Sequence, residues 1–154
     1  MSKNYFTISE LCIDKSVDVP QDVADKILLH HILPMNPVRE ALGEAIFVSQ
    51  HSGWRHYLWE LARGRSGKSQ HVFLKKSKGA VDWTIGGVEK HETDGNFEDL
   101  FKLIVDLTEY TRIAVYPNAR FIHCDYKASK QQLFLSDNSS NWKSADYHKI
   151  LHKI

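Results

Sequence analysis

The chain has 154 residues, 42% hydrophobic and 11% aromatic, which supplies one compact core and is short for two. Against 20 Lys and Arg stand 19 Asp and Glu, so a formal charge of +1 offers no chain-wide field for nucleic acid or an anionic membrane. A charged fraction of 25% with this aromatic content excludes a disordered chain, and no run reaches the ~18 apolar residues of a membrane span.

The expected elements follow in chain order. Thr7-Ile-Ser-Glu10 has capping-box spacing ahead of a short helix holding Leu11 and Cys12. After Pro20, the rows Val23, Ile27, His30 and Ala24, Leu28, His31 predict an amphipathic helix reaching Leu33 before Pro34. A second helix is expected from Pro37 to Leu42, closed by Gly43. The run 44–50 reads as a strand, and Trp54, Tyr57, Leu58 and Leu61 as a helix ended by Gly64. Another strand is expected over 80–85, ended by Gly86 and Gly87, then a helix through Phe97, Leu100, Phe101, Ile104 and Leu107 with Asn96 as its cap. Strands over 112–115 and 120–126 flank a turn at Tyr116-Pro-Asn-Ala; 131–135 offers an edge strand, and 136–144 reads as a polar loop. Helices first and hairpin-linked strands later predict a single α+β domain, helices packed on a mainly antiparallel sheet.

Cys12 and Cys124 are too few for a disulfide framework or a Cys-rich zinc site and read as buried small hydrophobes. The start of the chain carries no apolar stretch of signal-peptide length, so a cytoplasmic product is expected. Ala62-Arg-Gly-Arg-Ser-Gly-Lys-Ser69 nearly satisfies the phosphate-loop pattern, yet it leaves a helix and enters His-Val-Phe-Leu, not a strand-to-helix turn. A basic loop is the expected reading there.

Nine histidines are many for this length, and imidazole is the commonest ligand for a borderline metal. His71, Asp82 and His123 lie on or beside expected strands, where a sheet can hold two imidazoles and a carboxylate around zinc with a position open for water.

The surrounding residues carry a resemblance. Ser49-Gln-His-Ser-Gly-Trp-Arg55, Ser69-Gln-His71, Gly79-Ala-Val-Asp82 and Phe121-Ile-His-Cys-Asp125 occur in the order of the D-alanyl-D-alanine carboxypeptidase-like zinc peptidases. Tyr5-Phe-Thr-Ile-Ser-Glu10 and Asn36-Pro-Val-Arg-Glu-Ala-Leu-Gly43 resemble the phage and bacterial branch of that family, which shares a fold group with lysostaphin-type peptidases and the hedgehog signalling domain. The resemblance covers residues 5–127 and leaves 128–154 as a C-terminal extension.

It implies one zinc held by His71, Asp82 and His123, with Arg55 aimed at the scissile carbonyl and Ser69 orienting the loop or contacting substrate. A fixed guanidinium there would stabilise charge growing on the carbonyl oxygen more in the transition state than in the substrate. Two departures stand out: the segment between His71 and Asp82 is longer than usual, with Lys78 at a glycine position, and Arg120 stands where many members carry a general-base glutamate. Asp125, on the same strand face as His123, is either the substitute base or a carboxylate that holds a histidine ring. Trp83, Tyr126 and Trp54 are candidate cleft walls, with His51 and His56 as spare substrate contacts.

The implied function is hydrolysis of amide bonds in peptidoglycan stem peptides by a zinc-activated water, by a D,D-carboxypeptidase or an endopeptidase of phage-lysin type. Such an enzyme reaches the wall after release and needs no nucleic acid or membrane partner; the sequence leaves its oligomeric state open, with a monomer assumed. The alternative is a zinc-containing domain that binds peptidoglycan or a protein without cutting it.

Overall fold

Thr7 and Glu10 form the reciprocal cap expected of their spacing: the Thr7 amide donates to the Glu10 carboxylate at 2.6 Å, and the Glu10 amide to the Thr7 hydroxyl at 3.3 Å. They open a single 3-10 turn, Ser9–Leu11, that plugs Leu11 into the core. The computed structural model describes residues 3–49, 52–86, 94–137 and 141–154. Gln50, His51, Gly87, His91 and the middle of the 136–144 segment lie outside these residues.

The two helices expected on either side of Pro34 are continuous. Helix α1 (Gln21–Ile27) passes through a π-helical turn, Leu28–Ile32, into α2 (Leu33–Leu42). Pro34 follows directly on the π-helical turn, and it and Pro37 both lie within the continuous helix without an N–H to give to the preceding turn. Gly43 closes α2 in the left-handed region at φ 77°, a conformation that costs glycine little.

Strands β1 (Ile46–Val48), β2 (Ala80–Ile85), β3 (Arg112–Tyr116), β4 (Phe121–Asp125), β5 (Gln132–Leu135) and β6 (Lys143–Ser144) form one sheet in the order β1-β2-β4-β3-β5-β6. All neighbours run antiparallel except β3 and β5. The mixed α and β architecture thus carries the expected antiparallel sheet, with two corrections. The 132–135 strand is interior, paired with β3 on one side and β6 on the other, because the chain crosses over and returns parallel. The polar 136–144 segment ends in the edge strand.

Three further helices complete the chain: α3 (Tyr57–Ala62), α4 (Asp94–Leu107) and α5 (Tyr147–Lys153). Helix α3 begins after the expected Trp54, which is buried and bridges to Cys12 instead. Asn96 lies inside α4 and donates to Glu44 at 2.8 Å, so it is not the cap. The 62–69 loop joins α3 to a 3-10 turn, Gln70–Val72, and lacks the strand-to-helix geometry of a phosphate loop. Both cysteines are free and buried, as expected.

Strand alternation decides which residues meet the helices. Val81 and Trp83 of β2 pair with Cys124 and Ile122 of β4, and these with Ile113 and Val115 of β3, giving one apolar face. Phe97, Leu100, Phe101 and Ile104 of α4, with Ile32, Met35 and Val38 from the α2 region, share its core. The opposite face carries two polar rows, Asp82–His123–Ala114 and Ala80–Asp125–Arg112.

Candidate metal centre

Asp82 and His123 are direct cross-strand partners on β2 and β4, so their side chains leave the same face side by side. His71 comes to them from the 3-10 turn Gln70–Val72. Its backbone carbonyl accepts from the Arg55 amide at 2.8 Å, which ties the two motif loops together. Asp82 is pinned through its own backbone, which donates to the Ser52 carbonyl and accepts from the Ser49 amide, both at 2.8 Å. The segment between His71 and Asp82 is held from the helical side: the Lys26 ammonium donates to the carbonyls of Phe73, Leu74 and Lys75 at 3.2–3.3 Å. The buried His31 takes the Lys78 carbonyl at 2.9 Å.

Ligand atoms of His71, Asp82 and His123 all lie within 4.8 Å of one another, and all three residues are buried. The hydrogen bonds around them fix which ring nitrogen carries a proton. His71 Nδ1 is 3.1 Å from the Gly53 carbonyl, which only accepts, so Nδ1 donates and Nε2 turns inward. His123 Nε2 lies 2.7 Å from Asp125 Oδ2 and donates to it, which turns Nδ1 inward. Asp82 Oδ1 sits 3.5 Å from His71 Nε2 and 2.8 Å from His123 Nδ1. It is nevertheless buried, and neither ring nitrogen meets it with hydrogen-bond geometry. Two imidazoles with outer N–H groups engaged and inner nitrogens converging on an orphaned carboxylate oxygen form a donor set that suits a divalent cation.

The charges follow. Burial would raise the Asp82 carboxyl, but His71 and His123 hold it well below the usual carboxylate range. Burial lowers the His71 pKa, opposed in part by Asp82. Burial would also lower that of His123, but the carboxylates of Asp82 and Asp125 outweigh it and raise it to about 9. Without an ion, a carboxylate at each ring nitrogen favours the protonated form of His123.

Asp125 has no lone pair to spare. Its carboxylate takes Arg112 Nε at 2.8 and 3.0 Å, Arg112 Nη2 at 2.5 Å, His123 Nε2 at 2.7 Å and the Lys127 amide at 2.9 Å. Burial would raise its pKa, yet hydrogen bonds from His123 and Arg112 hold it below the carboxylate range. Of its two sequence roles, the geometry supports the one that orients the His123 ring; as a base it is both saturated and too acidic. Arg120 offers nothing in its place, since its guanidinium lies over the Phe97 ring at 5.0 Å.

Arg55 and Ser69 converge on a residue that sequence reasoning missed. Glu60, wholly buried on the inner face of α3, accepts from Arg55 Nη1 at 3.1 Å and from the Ser69 hydroxyl at 2.6 Å. Arg55 is buried too, and the bond from its amide to the His71 carbonyl ties it to the turn that carries His71. Gly53, the glycine of the same motif, is obligatory: a Cβ there would stand 2.2 Å from the Leu11 carbonyl oxygen.

The chain matches no known family model, no curated protein and no solved structure. What the centre can do therefore rests on its own geometry.

The three expected cleft residues lie elsewhere. Trp83 follows Asp82 and so points to the opposite face, where it is fully buried, 5.2 Å from the Phe6 ring, and donates to the Tyr110 hydroxyl at 3.2 Å. Tyr126 packs on Tyr110 and His31, and its hydroxyl donates to the His30 carbonyl at 2.6 Å. Trp54 is also core, while His56 caps α3 by accepting from the Leu58 amide at 3.2 Å. Sequence reasoning missed Arg112 as well, because its grip on Asp125 comes from β3–β4 register. A buried acid between apolar neighbours in Leu58-Trp-Glu-Leu61 was the one signal for Glu60.

Proposed function

We propose that the chain is a zinc-dependent peptidase acting on the amide bonds of peptidoglycan stem peptides. The observation that carries this reading is the orphaned Asp82 oxygen between two inward-facing imidazole nitrogens. Two histidines and one carboxylate suit zinc, and three protein ligands are the number that catalytic rather than structural zinc sites use. When bound, zinc supplies Lewis acidity that polarises a carbonyl and makes water nucleophilic near neutral pH.

The protein's own groups have separable parts in that reaction. Asp125 and the Gly53 carbonyl hold the two rings so that the inner nitrogens keep converging. Arg55, braced by Glu60 and standing 5.6 Å from the Trp59 ring, holds a buried positive charge on the loop whose amide bonds to the His71 carbonyl. That charge counts most where negative charge builds on the scissile carbonyl oxygen, in a buried setting that screens it little. Ser69 spans the turn before His71 and keeps Glu60 in place. The peptidoglycan substrate follows from the family resemblance of residues 5–127, and with it action at the cell wall after release from the cytoplasm.

One observation favours a second reading, a zinc-containing domain that binds wall fragments or a protein without cutting. Asp125 is saturated and position 120 is an arginine, so the glutamate base common in the family has no free counterpart at either place. Incubating the zinc-loaded protein with purified stem peptides and following new amino termini by mass spectrometry separates the two. Cleavage is expected, and Arg55→Ala should lower kcat/KM by roughly 10²–10³ while zinc content is kept. Retention of the peptides with no cleavage would select the binding reading.

A further inference from the structure

We infer that Trp142, in the C-terminal extension, is a positioning residue of the metal centre that holds both His123 and the Arg112–Asp125 pair behind it. This rests on the reading of His71, Asp82 and His123 as metal ligands. The extension lies wholly outside the stretch that resembles the peptidase family.

Cross-strand register supplies the reason that a residue so far along the chain reaches the centre. The row that holds Asp82 and His123 continues through Ala114 on β3 to Phe134 on β5. Ala114 contributes only a methyl group, which leaves a gap on the site face between His123 and Phe134. The Trp142 indole spans that gap, with ring centres 4.7 Å from His123 and 5.3 Å from Phe134. Its Nε1 donates to the Tyr116 hydroxyl at 2.6 Å, which fixes the plane of the ring. The adjacent row carries Asp125 and Arg112 as direct partners, and the Arg112 guanidinium lies over the same indole at 4.8 Å.

One side chain thus touches both layers of support. The edges of the His123 ring are set by Asp82 and Asp125, and neither carboxylate prevents the ring from tilting out of their plane. The indole blocks that tilt. Stacking on Arg112 also restricts the guanidinium, whose two-pronged grip keeps the Asp125 carboxylate aimed at His123 Nε2. Removing the indole frees the ring and loosens its orienting carboxylate together.

The test uses the full chain without metal, titrated with Co2+ and followed by ligand-field absorption and by tryptophan fluorescence. Wild type should bind Co2+ and lose the fluorescence contributed by Trp142, a quench that Trp142→Phe abolishes. Trp142→Ala should weaken Co2+ binding by about tenfold or more and shift the ligand-field bands. Trp142→Phe, which keeps a ring against His123, should restore most of both. A merely structural role would lower the melting temperature of the metal-free protein and leave affinity and bands in place, and that result overturns the inference. Should Trp142→Ala fail to fold, Tyr116→Phe removes only the anchor of the indole. It should weaken Co2+ binding in the same direction, and unchanged affinity and bands there overturn the inference equally. A wild type with no Co2+ spectrum removes the centre itself, and the role of Trp142 with it; binding in wild type that Trp142→Ala leaves untouched removes only the role of Trp142.

Discussion

Both ring nitrogens of His123 face carboxylates, Asp82 at 2.8 Å and Asp125 at 2.7 Å, and this pair of contacts sets how the metal-free protein responds to pH. The His123 pKa rises from 6.5 to about 9, so the imidazolium stabilises the fold fully below 6.5, and that stabilisation is lost as pH climbs through 9. A metal must displace the inner proton, so affinity should increase with pH across this window and binding should release a proton. Calorimetric titration at pH 7.5 in two buffers of different ionisation heat measures that release; equal apparent enthalpies would contradict it. Asp125→Asn keeps the shape but removes the acceptor charge, and should cost about 10–100-fold in metal affinity, read by competition with a chelating dye. The candidate triad was legible from the order of its motifs rather than from residue type, since nine histidines and 19 acids allow many such sets, and the structure does bring His71, Asp82 and His123 together. Arg112 was not legible, since nothing local links it to Asp125 until strand register is known. Trp83 misled for the opposite reason: it is next to Asp82 in sequence, and on a strand that adjacency sends it to the other face.

Strands β2 and β4 were the most readable elements, because apolar residues alternate with the polar triad members along them. The helices were less so at their ends. Pro34 suggested a break between two helices, but the chain stays helical through it, with the π-helical turn Leu28–Ile32 immediately before it in place of the regular hydrogen-bond ladder. Turns that bring backbones into contact depend on glycine. A Cβ at Gly53 would meet the Leu11 backbone at 2.2 Å, and neither strand of chain can withdraw without breaking the Trp54 amide to Leu11 carbonyl bond. Gly53→Ala should therefore destabilise the fold by roughly 1–3 kcal/mol, seen as a lower melting temperature, and should weaken metal binding because the Gly53 carbonyl holds His71. A variant with wild-type melting and metal affinity would show that the Leu11 turn is slack.

At the scale of the whole molecule, residues 128–154 are part of the sheet rather than an appendage. Strand β5 pairs with β3 along Arg112 to Val115 and carries the edge strand β6, and Ile150 of α5 is buried in the common core. Cutting the chain after residue 127 would expose the outer edge of β3 and the apolar surface under α5. The shortened protein should fail to give a cooperative thermal transition, and a sharp melt from residues 1–127 would contradict that expectation. The sequence offered β5 as an edge strand because a parallel return to β3 leaves no local mark; only the crossover decides it. Among the described residues, no helix is long and apolar enough to cross a membrane.

The central claim is that His71, Asp82 and His123 form a metal centre, and elemental analysis of the purified protein tests it most directly. After reconstitution and desalting, wild type should retain close to one zinc per chain, and His71→Ala and His123→Ala should each lose it while keeping a folded circular-dichroism spectrum. Wild type without zinc, or zinc that persists in both variants, would contradict the account.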